Sequence, residues 1–210
     1  MQLCDEIKRL GQRRRADAWA KTFKADRQAF LAARDADALT TTNPIQPSGL
    51  VKTLRDVAPK GSAITMDAGT LCLQATDALN YWHPISLFTP LDFGLVGFSY
   101  ACGLGVKLAM PDRPVISLMG DGGFGITMLK ISMAGEYGIH TVTVVMNNRC
   151  CGAEKAYQAD FFNGCDIGAE VSSPAFDQLA ELYGARLSRR HIGSDGRGGL
   201  GLRQTGCCRC

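Results

Sequence analysis

The apolar positions of this chain fall in short runs separated by stretches of helical spacing. Over residues 1–36 the chain is polar, with Ile7, Leu10, Trp19, Phe23 and Phe30 spaced so that one helical face rests on a neighbour. TTNPIQPSG (41–49) is dense in turn formers and reads as a linker. From there helix and strand alternate. Residues 50–57 are helical, 62–66 form a short apolar strand ending in Asp67-Ala68-Gly69, and 70–80 are helical again. Residues 97–110 make a helix of small residues, closed by the turn Pro111-Asp112-Arg113-Pro114. A second apolar strand (115–119), a helix (126–137), a third strand (141–146) and a late helix (174–183, striped by Phe176, Leu179, Ala180 and Leu182) complete the series. Short β-rich runs separated by helices mark a parallel sheet covered on both sides. The predicted fold is α/β, a doubly wound parallel sheet with helices on both faces.

Length and composition agree with that reading. The 210 residues are 46% apolar with a net charge of only +3, which excludes a disordered chain and suffices for one domain with a real core. No apolar stretch approaches the roughly 20 residues of a membrane span. Asp5 and Glu6 stand where a signal peptide needs an apolar run, so a cytoplasmic location is expected. Charge is uneven: residues 186–210 hold six arginines against one acid, Asp195, a net +5 that leaves the rest of the chain at −2. The domain therefore offers no basic face to a nucleic acid. LSRRHIGSDGRGGLGLRQTGCCRC (187–210) follows neither period and carries six glycines, which suggests an out-of-frame or otherwise non-native end. The Arg13-Arg14-Arg15 run reads as a solvated helix face or turn. Nine cysteines, three of them within the last four residues, show no paired C-x-x-C spacing and read as free thiols. Three parts are expected: 1–44, a helical remnant of a preceding domain with its linker; 45–185, the α/β domain; and 186–210, an irregular tail.

The candidate chemistry gathers at GDGGFG (120–125), set between a strand and a helix. As G-x-G-x-x-G it fits a dinucleotide fingerprint, but such a site wants an acid about 20 residues on, at the end of the next strand. Here that strand ends in Asn147-Asn148. Asp121 lies inside the motif, where a carboxylate repels a pyrophosphate unless a cation stands between them. With Mg²⁺ supplied, Asp121 becomes one ligand and diphosphate oxygens become others, within a shell of about six oxygens. Asn148 follows after one helix and one strand, so it emerges at a neighbouring strand end, and the carbonyl of Cys150 is placed to be a third ligand. Gly122 and Gly123 let the backbone approach the phosphates, and the following helix offers its N-terminus to them. Taken singly, Asp121 also fits a helix N-cap and Asn147-Asn148 a turn; their joint spacing favours the cofactor reading. Glu154 and Lys155 read as a solvated pair, and His83 and His140 as structural.

GDG, then 24 residues, then NN resembles the cofactor signature of thiamine-diphosphate-dependent enzymes. LDFGLVGFSYACGLGVKLAMPDRPVISLMGDG (91–122) is similar to the segment these enzymes carry up to that signature, and DAGT (67–70) to their first cofactor loop. The resemblance covers roughly residues 45–185 and is strongest to the acetolactate synthase group; NNRCCGAEK with FFNGCDIGAEV is similar to sulfoacetaldehyde acetyltransferases. It implies the thiamine-diphosphate-binding fold and the pyrophosphate-binding domain of a larger enzyme, with thiamine diphosphate and Mg²⁺ as cofactors. By the resemblance, Asp121, Asn148 and the Cys150 carbonyl hold the metal. Gly69, Thr70, Gly122 and Gly123 line the diphosphate, Gly94, Leu95 and Val96 approach the pyrimidine and thiazolium rings, and Gly120 and Gly152 are further cofactor-binding positions. Two positions depart from the family pattern: Val96 is small where relatives carry a bulkier wedge, and Cys151 stands where acetyltransferase-like relatives commonly have tryptophan.

The resemblance also implies a partner. In this family a glutamate that hydrogen-bonds the aminopyrimidine ring activates the cofactor, and it comes from a separate pyrimidine-binding domain. A sheet starting near residue 62 leaves no room for that domain in this chain. Two classes of function follow. One is a component of a homo- or hetero-oligomeric transferase or lyase that decarboxylates a 2-oxo acid, or cleaves a related bond, and passes on a two-carbon unit. The other is a catalytically inactive product, or a small subunit of a two-chain enzyme, inactive alone. No catalytic residue is assigned within the chain.

Overall fold

The computed structural model describes residues 2–9, 17–38, 45–76 and 78–185. The Arg13-Arg14-Arg15 run, residues 41–44 of the expected linker and the glycine-rich tail from 186 on lie outside the described residues. Two helices come first, α1 (Gln2–Arg9) and α2 (Asp17–Ala38). Then α3 (Pro47–Val57), β1 (Ala63–Met66), α4 (Thr70–Thr76), β2 (Leu87–Phe88), α5 (Phe98–Ala109) and β3 (Val115–Gly120) alternate. After these come α6 (Asp121–Thr127), α7 (Lys130–Glu136), β4 (Val142–Met146), α8 (Gly152–Phe161) and α9 (Phe176–Leu182).

The four strands form one parallel sheet in the order β2-β1-β3-β4, with Ile64 level with both Leu87 and Ile116, and Leu118 level with Val144. Successive side chains point to opposite faces. Ile64, Met66 and Leu118 turn toward α3 and α4, where Leu50, Val51, Leu54, Cys72 and Ala75 close a buried cluster. Met119 turns the other way, into a cluster of Tyr100 and Leu104 from α5, Phe124 from α6, Ile131 from α7 and Phe176 from α9. The rings of Tyr100, Phe124 and Phe176 meet edge to face at 5.6 and 5.1 Å. Helices therefore cover both faces of a parallel sheet, as the alternation predicts.

Small residues in α5 have a structural purpose. The buried Thr65 hydroxyl lies 2.9 Å from both the Ser99 carbonyl and the Ser117 hydroxyl, and Ser99 Oγ donates to the Thr65 carbonyl at 2.8 Å. A Cβ at Gly103 would fall 2.1 Å from Ser117 Oγ, so α5 reaches this polar seam only because position 103 has no side chain. From β1 the chain passes outward to β2, then returns across β1 to β3 on its other side. The connections thus diverge at the carboxyl ends of β1 and β3, the switch point at which open α/β sheets bind ligands.

Several elements differ from expectation. The helix expected at 126–137 begins at Asp121 and is divided into α6 and α7, so GDGGFG is helical from its second residue rather than a loop. α3 starts at Pro47 within the expected linker, because proline suits the first helical position, where its missing N–H costs nothing. α4 ends at Thr76, not at residue 80. Among the described residues, Trp19, Phe23 and Phe30 are exposed rather than resting on a neighbour; Trp19 and Phe23 stack on each other at 5.3 Å. α2 docks instead through Leu31 and a polar set: Asp35 pairs with Arg55, Arg34 donates to the Gln74 carbonyl and Arg27 to the Leu79 carbonyl.

Candidate functional site

Strand ends bring the candidate residues to one edge of the sheet. Gly69 and Thr70 follow β1, Gly120 ends β3 with Asp121 opening α6, and Asn148 follows β4. Asp121 is 1% exposed and is the first helical residue, not the cap: Gly120 occupies that position and no side chain caps the helix. The two carboxylate oxygens of Asp121 differ. Oδ2 accepts the Ser173 hydroxyl, whereas Oδ1 is buried with no hydrogen-bond partner among the described residues. A buried carboxylate oxygen left unpaired is costly unless a cation or donor completes it.

The turn after β4 is real as well. Asn147 Oδ1 accepts the Arg149 N–H and Asn148 Oδ1 accepts the Cys150 N–H, both at 3.2 Å, while Arg149 takes φ of +57°. An amide oxygen has two lone pairs, so Asn148 keeps one for another partner. Residues 149–151 lie against 169–171: the Cys151 N–H donates to the Ala169 carbonyl at 2.8 Å, and the Val171 N–H to the Arg149 carbonyl at 2.9 Å. Cys150 is held between these two bonds. Burial pushes the Cys150 and Cys151 thiols up, away from the reactive thiolate form.

Closeness can be read from the glycines. A Cβ at Gly152 would stand 3.5 Å from Asn148 Nδ2 and 3.7 Å from Thr70 Oγ1, and one at Gly122 would stand 3.3 Å from Cys151 Sγ. Thr70, Asn148 and Gly152 therefore converge, and Gly122 faces Cys151 beside Asp121. Gly69 enters α4 with φ of +105°, a conformation that L side chains rarely adopt. Gly94, Leu95 and Val96 lead into Gly97, whose nitrogen lies 3.4 Å from where a Cβ at Gly123 would stand and which packs against Ile126 and Thr127 of α6. Leu95 and Val96 are exposed.

Two contributors were not legible beforehand. The Asp67 carboxylate caps α5 from across the sheet: Oδ2 accepts the Gly97 N–H at 2.9 Å, and Oδ1 accepts those of Phe98 and Ser99 at 2.7 and 3.2 Å. Burial holds the Asp67 carboxyl above the usual carboxylate range, against the pull of those N–H donors. The cap depends on Gly123, where a Cβ would fall 1.8 Å from Asp67 Oδ2. Ser173 is the other, 52 residues from Asp121 in a segment without periodicity, and no signal in the chain marks it. Lys155, expected to pair with Glu154, instead pairs with Glu170 and lies 3.7 Å from Asp166, because adjacent helical residues do not face each other.

The three candidate donors, a carboxylate, an amide oxygen and a main-chain carbonyl, are hard oxygens, the kind that Mg²⁺ takes and a soft metal does not. Among the described residues no three His, Cys, Asp or Glu cluster as a self-sufficient metal cage.

Residues 67–195 match the family model described as thiamine pyrophosphate enzyme, C-terminal TPP binding domain; the match runs past the boundary expected at 185. The chain is 34% identical over 141 residues to a sulfoacetaldehyde acetyltransferase of Alcaligenes xylosoxydans xylosoxydans, covering 67% of this chain and 23% of that protein. It is 28% identical over 177 residues to a probable acetolactate synthase large subunit of Methanococcus aeolicus, covering 81% and 29%. Among solved structures it is similar to a thiamine diphosphate-dependent 4-hydroxybenzoylformate decarboxylase of Rhodococcus jostii RHA1, with a TM-score of 0.62 and 29% identity over 67% of this chain and 26% of that one. The chain spans about a quarter of the length of these relatives.

Proposed function

Because the chain belongs to the thiamine pyrophosphate enzyme family, over its C-terminal TPP-binding domain, we infer that the edge at β1, β3 and β4 seats the diphosphate of the cofactor through one Mg²⁺. The observation that carries the metal is the buried Asp121 carboxylate with its unpartnered Oδ1. Asp121 Oδ1, the Asn148 amide oxygen and the Cys150 carbonyl would hold the cation. Gly69, Thr70, Gly120, Gly122, Gly123 and Gly152 would border the diphosphate, and Gly94, Leu95 and Val96 the rings. Bound thiamine diphosphate supplies an electron sink for cleaving a bond next to a carbonyl. The chain's own residues bind and orient: the oxygen ligands offset the diphosphate charge, and the exposed Leu95 and Val96 give the rings an apolar wall.

The relatives' names support an acetolactate synthase-like or sulfoacetaldehyde acetyltransferase-like reaction for the full assembly, in which a two-carbon unit from a 2-oxo acid or related substrate is passed on. The activating glutamate would come from a pyrimidine-binding domain or subunit. The reading is tested by titrating the purified chain with thiamine diphosphate, with and without Mg²⁺, by calorimetry. Binding that needs the cation supports the site. Equal affinity in chelator contradicts it, and tight binding of NAD would revive the dinucleotide reading.

A further inference from the structure

The geometry points to Ser173 as a positioning residue that restricts Asp121 to one metal-facing oxygen; this rests on the Mg²⁺ site proposed above. Asp121 is 1% exposed, and Ser173 Oγ donates to its Oδ2, so a cation entering the site meets Oδ1 alone. Ser173 is not placed by a helix or strand of its own. It ends a strap over residues 163–173 that is fastened to α8 at several points. Gln158 Nε2 donates to the Ile167 carbonyl at 3.0 Å, its Oε1 accepts the Ile167 N–H at 2.6 Å, and Lys155 pairs with Glu170. The main-chain bonds of Cys151 to Ala169 and of Val171 to Arg149 continue the seam next to Cys150. The segment that carries two candidate ligands, Asn148 and Cys150, is thus also the support that delivers the Ser173 hydroxyl to the third, Asp121.

A carboxylate held to one oxygen favours Mg²⁺, which demands near-ideal octahedral geometry, whereas Ca²⁺ accepts carboxylates through one oxygen or both. Freed from Ser173, Asp121 can offer both oxygens. In Ser173→Ala the Mg²⁺ concentration that half-saturates thiamine diphosphate binding to the full chain should rise about 10- to 100-fold, the usual effect of losing a group that orients a metal ligand. The Ca²⁺ requirement should rise less, so the preference between the two cations shifts toward Ca²⁺. Ser173→Thr, which retains the hydroxyl, should restore the wild-type ratio. A general loss of fold weakens both cations alike and shows as a lowered melting temperature. Unchanged Mg²⁺ dependence in Ser173→Ala, or an equal rise for both cations, overturns the role of Ser173 and leaves the site reading standing. Cation-independent binding by the wild type overturns the site reading itself.

Discussion

At the scale of single residues, Gly123 and Asp67 form the tightest constraint near the site. Alanine is the better helix former by about 1 kcal/mol, so Gly123→Ala would stabilise α6 if propensity decided the matter. The Asp67 carboxylate occupies the space a Cβ would need, 1.8 Å away, and it is fixed there by three backbone N–H groups of α5. Overpacking should win, and Gly123→Ala should cost about 1–3 kcal/mol in urea denaturation. A neutral or stabilised variant would show that Asp67 can move away at no cost. The same pair explains why the motif is easily misread: the glycines of GDGGFG look like loop formers, yet three of the four lie in a helix, and Gly123 is there to clear a carboxylate 56 residues earlier in the chain. No local rule contains that information.

At the scale of elements, the strands and the α5 helix were legible because their patterns are local: short apolar runs, and a run of small residues that the Thr65–Ser99–Ser117 seam requires. What escaped notice lacks such a pattern. β2 is two residues long between Pro84 and Pro90, too short to alternate. α8 has no buried residue and therefore no apolar stripe, although its Ala, Glu, Lys and Gln favour helix. Its attachment to the strap is polar, and the contributions there are unequal. The Lys155 and Glu170 side chains both reach solvent, so their pairing should contribute little. Gln158 satisfies both backbone groups of Ile167 at once. Gln158→Ala should therefore speed amide hydrogen exchange across residues 165–171, while Lys155→Ala should leave it nearly unchanged. The reverse order would mean that charge, not the amide clasp, holds the strap.

At the scale of the whole molecule, the sheet and its two helical layers bring the candidate residues that follow β1, β3 and β4 to one edge, and the spacing of Asp121 and Asn148 is what points there. The position of Ser173 depends on packing between distant segments and was not anticipated. Among the described residues several large apolar side chains remain outward: Phe93, beside Gly94, is 91% exposed, and Ile126, Leu129 and Tyr137 on and after α6 and α7 are exposed as well. This fits a reading in which a pyrimidine-binding domain or subunit sits beside the cofactor and brings the activating glutamate. Among the described residues no helix is long and apolar enough to cross a membrane. On that reading the 210-residue chain alone should not turn over pyruvate in the presence of thiamine diphosphate and Mg²⁺. Measurable decarboxylation by the purified chain would mean that it holds an activating group of its own.

The central claim is that Asp121 binds the cofactor's cation. The most direct measurement is calorimetric titration of thiamine diphosphate and Mg²⁺ into Asp121→Ala beside the wild type, with thermal unfolding recorded for both. Binding that vanishes in a variant still folded as the wild type is the predicted result, because the proposed ligand set then lacks its carboxylate. Binding of wild-type strength by the variant, still dependent on Mg²⁺, would contradict the assignment and move the metal away from the end of β3.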